Sequence, residues 1–201
     1  GRGSRLREKA FEDHNFGDFE SGSDLNDRIA GISQLSERYP YMDIERVGIV
    51  GFEPLTNSIY GILNHSDFYK VAVEHCLCDP RYLNSFLTNT CFDVFENGTK
   101  INKGTYPEDH VESFKGKLLL IQGMKSSLTA GSMFLLVEAL QKANKDFDML
   151  CLPEMHHAIS SYTMRREWDY LVANLLGIDP PKGFKLKKGM GYAYEQIPSS
   201  V

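Results

Sequence analysis

An imidazole pair, four thiols and a carboxylate at a strand-to-helix junction are the features of this sequence that could do chemistry. His156 and His157 follow Glu154, but adjacent histidines on a loop point apart and no third ligand stands at metal-binding spacing, so no metal is expected. Cys76 and Cys78 make a lone Cys-x-Cys step, while Cys91 and Cys151 stand far from it. Without a second pair they form no zinc ribbon; buried free thiols are the expectation, with a disulfide left open for an exported chain. Glu53 directly follows a short apolar run, and its carboxylate is one candidate for a reactive group. Ser58 and Ser126 are the alternative nucleophiles, although Ser58 reads as an ordinary helix residue. The triplets Asn64-His65-Ser66 and Asn97-Gly98-Thr99 fit glycosylation sequons, which are frequent by chance and decide nothing.

The elements that must position these residues read as an α/β chain. Leu25, Ile29, Ile32 and Leu35 recur every three or four positions between Asp24 and Arg38, which marks one face of an amphipathic helix that Tyr39-Pro40 ends. Residues 46–52 (RVGIVGF) are β-branched and apolar on both alternations, as in a strand buried on both faces of a parallel sheet. Pro54 then opens a helix to about Asn64. Strands are expected again over Lys70–Cys76, Lys117–Gln122 and Asp146–Leu152, with helices from about Ala130 to Ala143 and Ser160 to Leu176. Alternating strands and helices imply βαβ units, hence a parallel sheet covered by helices. Between Asp79 and Pro107 the pattern dissolves into polar residues, aromatics and turn signals, as in an excursion over the sheet.

Composition sets bounds on function. The chain has 201 residues, a net charge of -5 and a pI near 5.7, so it offers no basic surface to compete for a phosphate backbone. The lysines at 182, 185, 187 and 188 read as a solvated tail. No apolar run approaches the roughly 18 to 20 residues of a membrane-spanning helix. The opening Gly1-Arg2-Gly3-Ser4 shows neither an initiator methionine nor an export signal, as expected for a piece of something longer.

Several stretches, in order, resemble the peptidase domain of the prolyl oligopeptidase family, in particular its dipeptidyl peptidase IV-like branch. Gly1-Arg2-Gly3-Ser4 is similar to an Asp-Gly-Arg-Gly-Ser turn, followed by Phe16-Gly17-Asp18-Phe19 and Asp27. Pro40-Tyr41-Met42-Asp43 and residues 46–52 resemble the run into the nucleophile elbow, and this part is the most specific. Phe68–Val73, Leu118–Gly123 and Pro153–Ile159 resemble the strand after the elbow helix, the Leu-Leu-Ile-His-Gly strand and the histidine loop. The resemblance implies an α/β-hydrolase with a three-layer αβα arrangement, truncated on its N-terminal side, over residues 1–178, with 179–201 as a C-terminal tail.

Position by position, the resemblance implies lost chemistry. In the elbow pattern Gly-x-Ser-x-Gly the serine hydroxyl is presented above the sheet; here the residues are Gly51-Phe52-Glu53-Pro54-Leu55. Glu53 takes the serine position, and an ionised carboxylate has no proton to surrender to His157, which matches the catalytic histidine. Pro54 takes the position whose backbone N–H feeds the oxyanion hole, and proline has none. Losing one such donor lowers rates about 100- to 1000-fold. Leu55 fills the place of the second glycine. Ser126 or Ser127 stands where the triad acid belongs and supplies no charge to an imidazolium. Ala158 replaces a glycine beside His157, and Arg81, Asn84, Thr88 and Thr90-Cys91-Phe92 replace the residues of the substrate pocket.

The expectation is therefore a catalytically inactive pseudo-peptidase domain with no cofactor, acting through an unidentified protein or peptide partner. The retained His157 would be vestigial. The alternative is a hydrolase that uses Glu53 with His157. Family resemblance favours an exported protein, periplasmic or extracellular, and an apolar sheet edge left open by truncation suggests a homodimer.

Overall fold

The computed structural model describes residues 2, 7–15, 24–52, 57–78, 94–96, 99–101, 106–126, 129–156 and 159–186. A short helix α1 (Lys9–Glu12) runs into one 3₁₀ turn. Helix α2 (Leu25–Arg38) carries the spaced apolar residues read from sequence, and it ends where Tyr39 turns extended ahead of Pro40. Its Leu25 is fully buried, whereas Leu35 is 45% exposed, so only the first part of its apolar face meets the core.

Four strands form one parallel sheet in the order β1 (Val47–Phe52), β2 (Tyr69–His75), β5 (Lys117–Gly123) and β6 (Asp148–Leu152). Between β2 and β5 lies an antiparallel pair, β3 (Val94–Glu96) and β4 (Thr99–Ile101), then a 3₁₀ helix over Pro107–Ser113. The polar excursion thus contains paired strands around Asn97-Gly98, the dipeptide that favours two-residue hairpin turns. Helices α3 (Asn57–Asn64), α4 (Ala130–Lys142) and α5 (Ser161–Leu171) follow β1, β5 and β6; α5 continues as a π turn to Leu176 that Gly177, at φ 66°, closes. The expected helix opening at Pro54 is described from Asn57 onward, because 53–56 lie outside the described residues.

The two faces of the sheet are unequal. Ala72, Leu118 and Leu120 join Ile59, Ile62 and Leu63 of α3, Met133, Leu136 and Leu140 of α4, and Leu25 of α2 in the main core. The opposite face buries Val73, Cys76, Leu119 and Ile121 against Tyr170 and Leu171 of α5. Side chains alternate across a strand, so β2 and β5 contribute to both. Each fully buried leucine or isoleucine contributes on the order of 1.5–3 kcal/mol of apolar transfer.

Arg2 and Asp27, quoted above from separate stretches, meet. The Arg2 guanidinium donates to Asp27 through Nε at 3.0 Å and Nη2 at 2.8 Å, and its backbone N–H donates at 2.9 Å. These bonds, the side-chain ones first, hold the Asp27 carboxyl at a pKa of about 2.

One expectation about the thiols is corrected. Cys76 and Cys78 are buried, but Cys151 is exposed. It sits on β6, which borders the sheet among the described residues, and its neighbours Leu150 and Leu152 take the side that packs on α5.

Candidate functional site

The parallel registers bring the carboxyl ends of all four strands to one edge: Phe52 lies beside His75, His75 beside Ile121, and Gly123 beside Leu152. In open α/β sheets ligands bind at this edge. The residues singled out from sequence follow these ends directly, Glu53 after β1, Ser126 after β5 and His157 after β6. Glu53, Pro54, Leu55, Ser127, His157 and Ala158 lie outside the described residues, as do the pocket positions 81, 84, 88 and 90–92.

What the structure does describe is how their flanks are held. Gly51, the first residue of the elbow pattern, is packed so tightly that an added Cβ would lie 2.2 Å from both Glu74 Oε2 and Ser58 Oγ. No other residue type fits there without moving strand or helix, which is the reason a strand-to-helix crossing wants glycine. Ser58 Oγ donates a short hydrogen bond to Glu74 Oε2. Ser58 is 1% exposed and Glu74 is fully buried. A hydroxyl sealed in this way cannot reach a substrate carbonyl, so the structure gives Ser58 a structural bond in place of a nucleophilic role.

The loops after β5 and β6 are laced together. Met124 N–H donates to Leu152 O at 3.0 Å and Lys125 N–H to Met155 O at 3.0 Å. An added Cβ on Gly123 would lie 2.4 Å from His156 O, so only glycine permits this approach. Lys125 Nζ lies 2.5 Å from Glu154 Oε2 and holds that carboxyl below its ordinary range. Glu154 is thereby paired with lysine, and among the described residues no cluster of three potential metal ligands exists. Ser126 N–H donates to Gly123 O at 3.2 Å, and Ser126 O accepts from Ala130 at 3.3 Å, which places this serine in the turn that leads into α4. Gln122 Nε2 donates to Thr129 Oγ1 at 2.8 Å and secures the same turn from below.

Helix α5 starts immediately after the histidine loop. Ser160 caps it, accepting from Thr163 N–H at 3.2 Å while Thr163 Oγ1 accepts from Ser160 N–H at 2.8 Å. A reciprocal cap of this kind fixes the helix start and with it the end of the loop. Lower on the helix, Glu167 Oε2 lies 2.8 Å from His75 Nε2, and both side chains are nearly buried, at 15% and 5% exposure. Cys76, next along, adopts φ 55°, a conformation rare for a side chain that bears a Cβ, and its Sγ lies 3.8 Å from His156 O.

Sequence reasoning missed Glu74, His75 and Glu167. The available signal was an acid and an imidazole at the end of a strand buried on both faces, where a charged residue is expected only with a partner.

The model of the prolyl oligopeptidase family matches residues 1–176. The chain belongs to that family. Dipeptidyl peptidase 8 of Homo sapiens is 25% identical over 144 residues, covering 68% of this chain and 16% of that protein. The Mus musculus protein of the same name is 24% identical over the same length. The chain thus spans about a sixth of the curated relatives it matches. Among solved structures, Porphyromonas gingivalis dipeptidyl peptidase 4 superposes with a TM-score of 0.67 at 19% identity, covering 87% of this chain and 26% of that one. Pyrococcus horikoshii acylaminoacyl peptidase superposes at 0.69 with 16% identity over 92% of this chain and 32% of that one. These likenesses establish the α/β-hydrolase fold, of which this family member presents four parallel strands among its described residues.

Proposed function

We propose that this prolyl oligopeptidase-family domain is a pseudo-peptidase that binds a protein or peptide partner and does not hydrolyse one. The observation that carries the reading is the pair Glu53-Pro54 between β1 and α3: the sequence supplies a carboxylate for the nucleophilic hydroxyl and removes the following N–H donor in one step. Ser126 in place of an acid, in the turn after β5, points the same way. The sealed position of Ser58 leaves that nearby serine unable to stand in. An exported location and a homodimer formed over the outer edge of β1 belong to the same reading.

The test is hydrolysis of Gly-Pro and Ala-Pro chromogenic dipeptides together with labelling by a fluorophosphonate probe, on the longest natural chain that contains this domain. Neither turnover nor labelling is expected. Turnover that Glu53→Ala or His157→Ala abolishes would replace this reading with carboxylate-based hydrolysis.

A further inference from the structure

We propose that Asn64 is an acceptor for an N-linked oligosaccharide, attached before the end of α3 closes onto the segment that leads into β5. The proposal rests on the exported location in the reading above and adds to it a modification site, at the end of the sheet opposite the candidate site. Asn64-His65-Ser66 offers an asparagine amide with a hydroxyl two residues on, the pattern that transferases of this class require. The triplet alone is common, and its place in the fold is what singles it out. Asn64 is the last residue of α3 and is exposed. Helix α3 returns from the carboxyl end of β1 to the start of β2, where Tyr69 lies beside Val47, the first residue of β1. Asn64 therefore stands at the amino edge of the sheet, and a bulky, hydrated glycan there leaves the carboxyl edge open.

The last carbonyls of a helix need partners. His65 N–H donates to Gly61 O at 2.9 Å, Ser66 Oγ donates to Ile62 O, and Ser113 Oγ donates to Leu63 O at 2.8 Å. None of these bonds uses the Asn64 amide, so a substituent on its nitrogen displaces no cap. Ser66 is committed differently. Its hydroxyl is partly buried and also accepts from Lys115 N–H at 3.0 Å, which ties the end of α3 to the residues ahead of β5. A transferase must engage that hydroxyl, which the folded domain already uses twice. The acceptor is thus the chain before this closure; the folded domain carries the glycan and does not receive it. In the transfer the Asn64 amide nitrogen bonds to the anomeric carbon of a lipid-linked oligosaccharide. The bond from that carbon to the diphosphate oxygen breaks, the lipid diphosphate leaves, and the proton lost by the amide passes to a base of the transferase.

The experiment translates the longest natural chain behind an added secretory signal, in the presence of endoplasmic reticulum microsomes. Chain inside the lumen is recognised by its protection from added protease. Its occupancy is read by mass spectrometry of the peptide that carries residue 64, after release of the glycan by peptide N-glycosidase in heavy-oxygen water. Occupancy of most lumenal chains is expected, kept by Ser66→Thr and abolished by Asn64→Gln. Asn64→Gln is expected to leave the urea midpoint of the unglycosylated domain in place, because the helix end does not use that amide. Unmodified Asn64 in protease-protected chain overturns the proposal. The order of events is tested by offering purified chain, folded or unfolded, to detergent-solubilised transferase. The folded chain is expected to be modified about ten-fold less or lower still, because only local opening frees Ser66; equal modification of the two overturns that order. Recovery of the natural chain outside its cell without the added signal is measured separately and bears on the exported reading alone.

Discussion

The two faces of the sheet solve the same packing problem differently. The face covered by α3 and α4 carries a continuous apolar core, and on it the buried Glu74 carboxyl accepts from Ser58. On the face covered by α5 the buried cluster is small, and on edge strand β1 Val50 and Phe52 remain 45% and 40% exposed. Near the amino end of β1, the end of α5 and its π turn come close, so that a Cβ added to Gly48 would lie 3.1 Å from Leu171 and 3.0 Å from Leu175. The first face holds most of the buried apolar residues, and the second leaves surface at the carboxyl edge, where open α/β sheets bind ligands.

The sharpest way to break this comparison is a pair of truncations. Leu120→Ala on the covered face is expected to lower unfolding free energy by about 3 kcal/mol, and Val50→Ala on the open flank by roughly 0.5 kcal/mol or less, both read from urea denaturation midpoints. Equal losses would mean that the open flank is packed in solution, and light scattering would then be expected to report the mass of a dimer. A smaller effect tests the polar bond that ties α5 to the sheet. Glu167→Gln keeps an acceptor for His75 and is expected to cost about 1 kcal/mol, whereas Glu167→Ala removes this bond to the buried imidazole and is expected to cost about 1–3 kcal/mol.

The smallest effect belongs to Arg2 and Asp27, which lie partly in water, with side-chain exposures of 40% and 28%. The Asp27 pKa is depressed in the folded chain, to about 2, from an unfolded value near 3.8. Its contribution is therefore complete above pH about 4 and is lost as the pH falls from there toward 2. Solvent screening limits that contribution to roughly 0.5–1 kcal/mol. Thermal melts of the natural chain and of Asp27→Asn are expected to differ by about 1–4 °C at pH 7 and to converge at pH 2.

How far the sequence reached depends on the kind of signal. The run RVGIVGF and the spaced apolars of α2 locate their elements to within a residue, because hydrophobic period is a local property. The 3₁₀ helix over Pro107–Ser113 has no such period and went unread, although its capping pair Tyr106 and Asp109 leaves a faint trace. Cys151 reads as core by residue type and is exposed by its place on a border strand. Around the candidate site, the glycines at 51 and 123 are legible as motif residues, but the atoms that demand them, Glu74 Oε2 and His156 O, belong to other strands and loops. Arg2 with Asp27 and His75 with Glu167 are likewise partnerships that only the tertiary fold creates.

The sheet's connectivity also bears on how the chain reaches its native state. β1 and β2 are joined through the single helix α3, and β5 and β6 through α4, so each pair can form as a compact unit. Joining the two units requires β5 to find β2 across the whole stretch from His75 to Lys117, which holds the hairpin and the 3₁₀ helix. Closing so long a loop before its contacts return any free energy is slow. Closure of the β2 to β5 seam is therefore the expected slow step of refolding, and the apolar strand KLLLIQ of β5 is the segment that a slow closure would leave open to other chains, which favours refolding at high dilution.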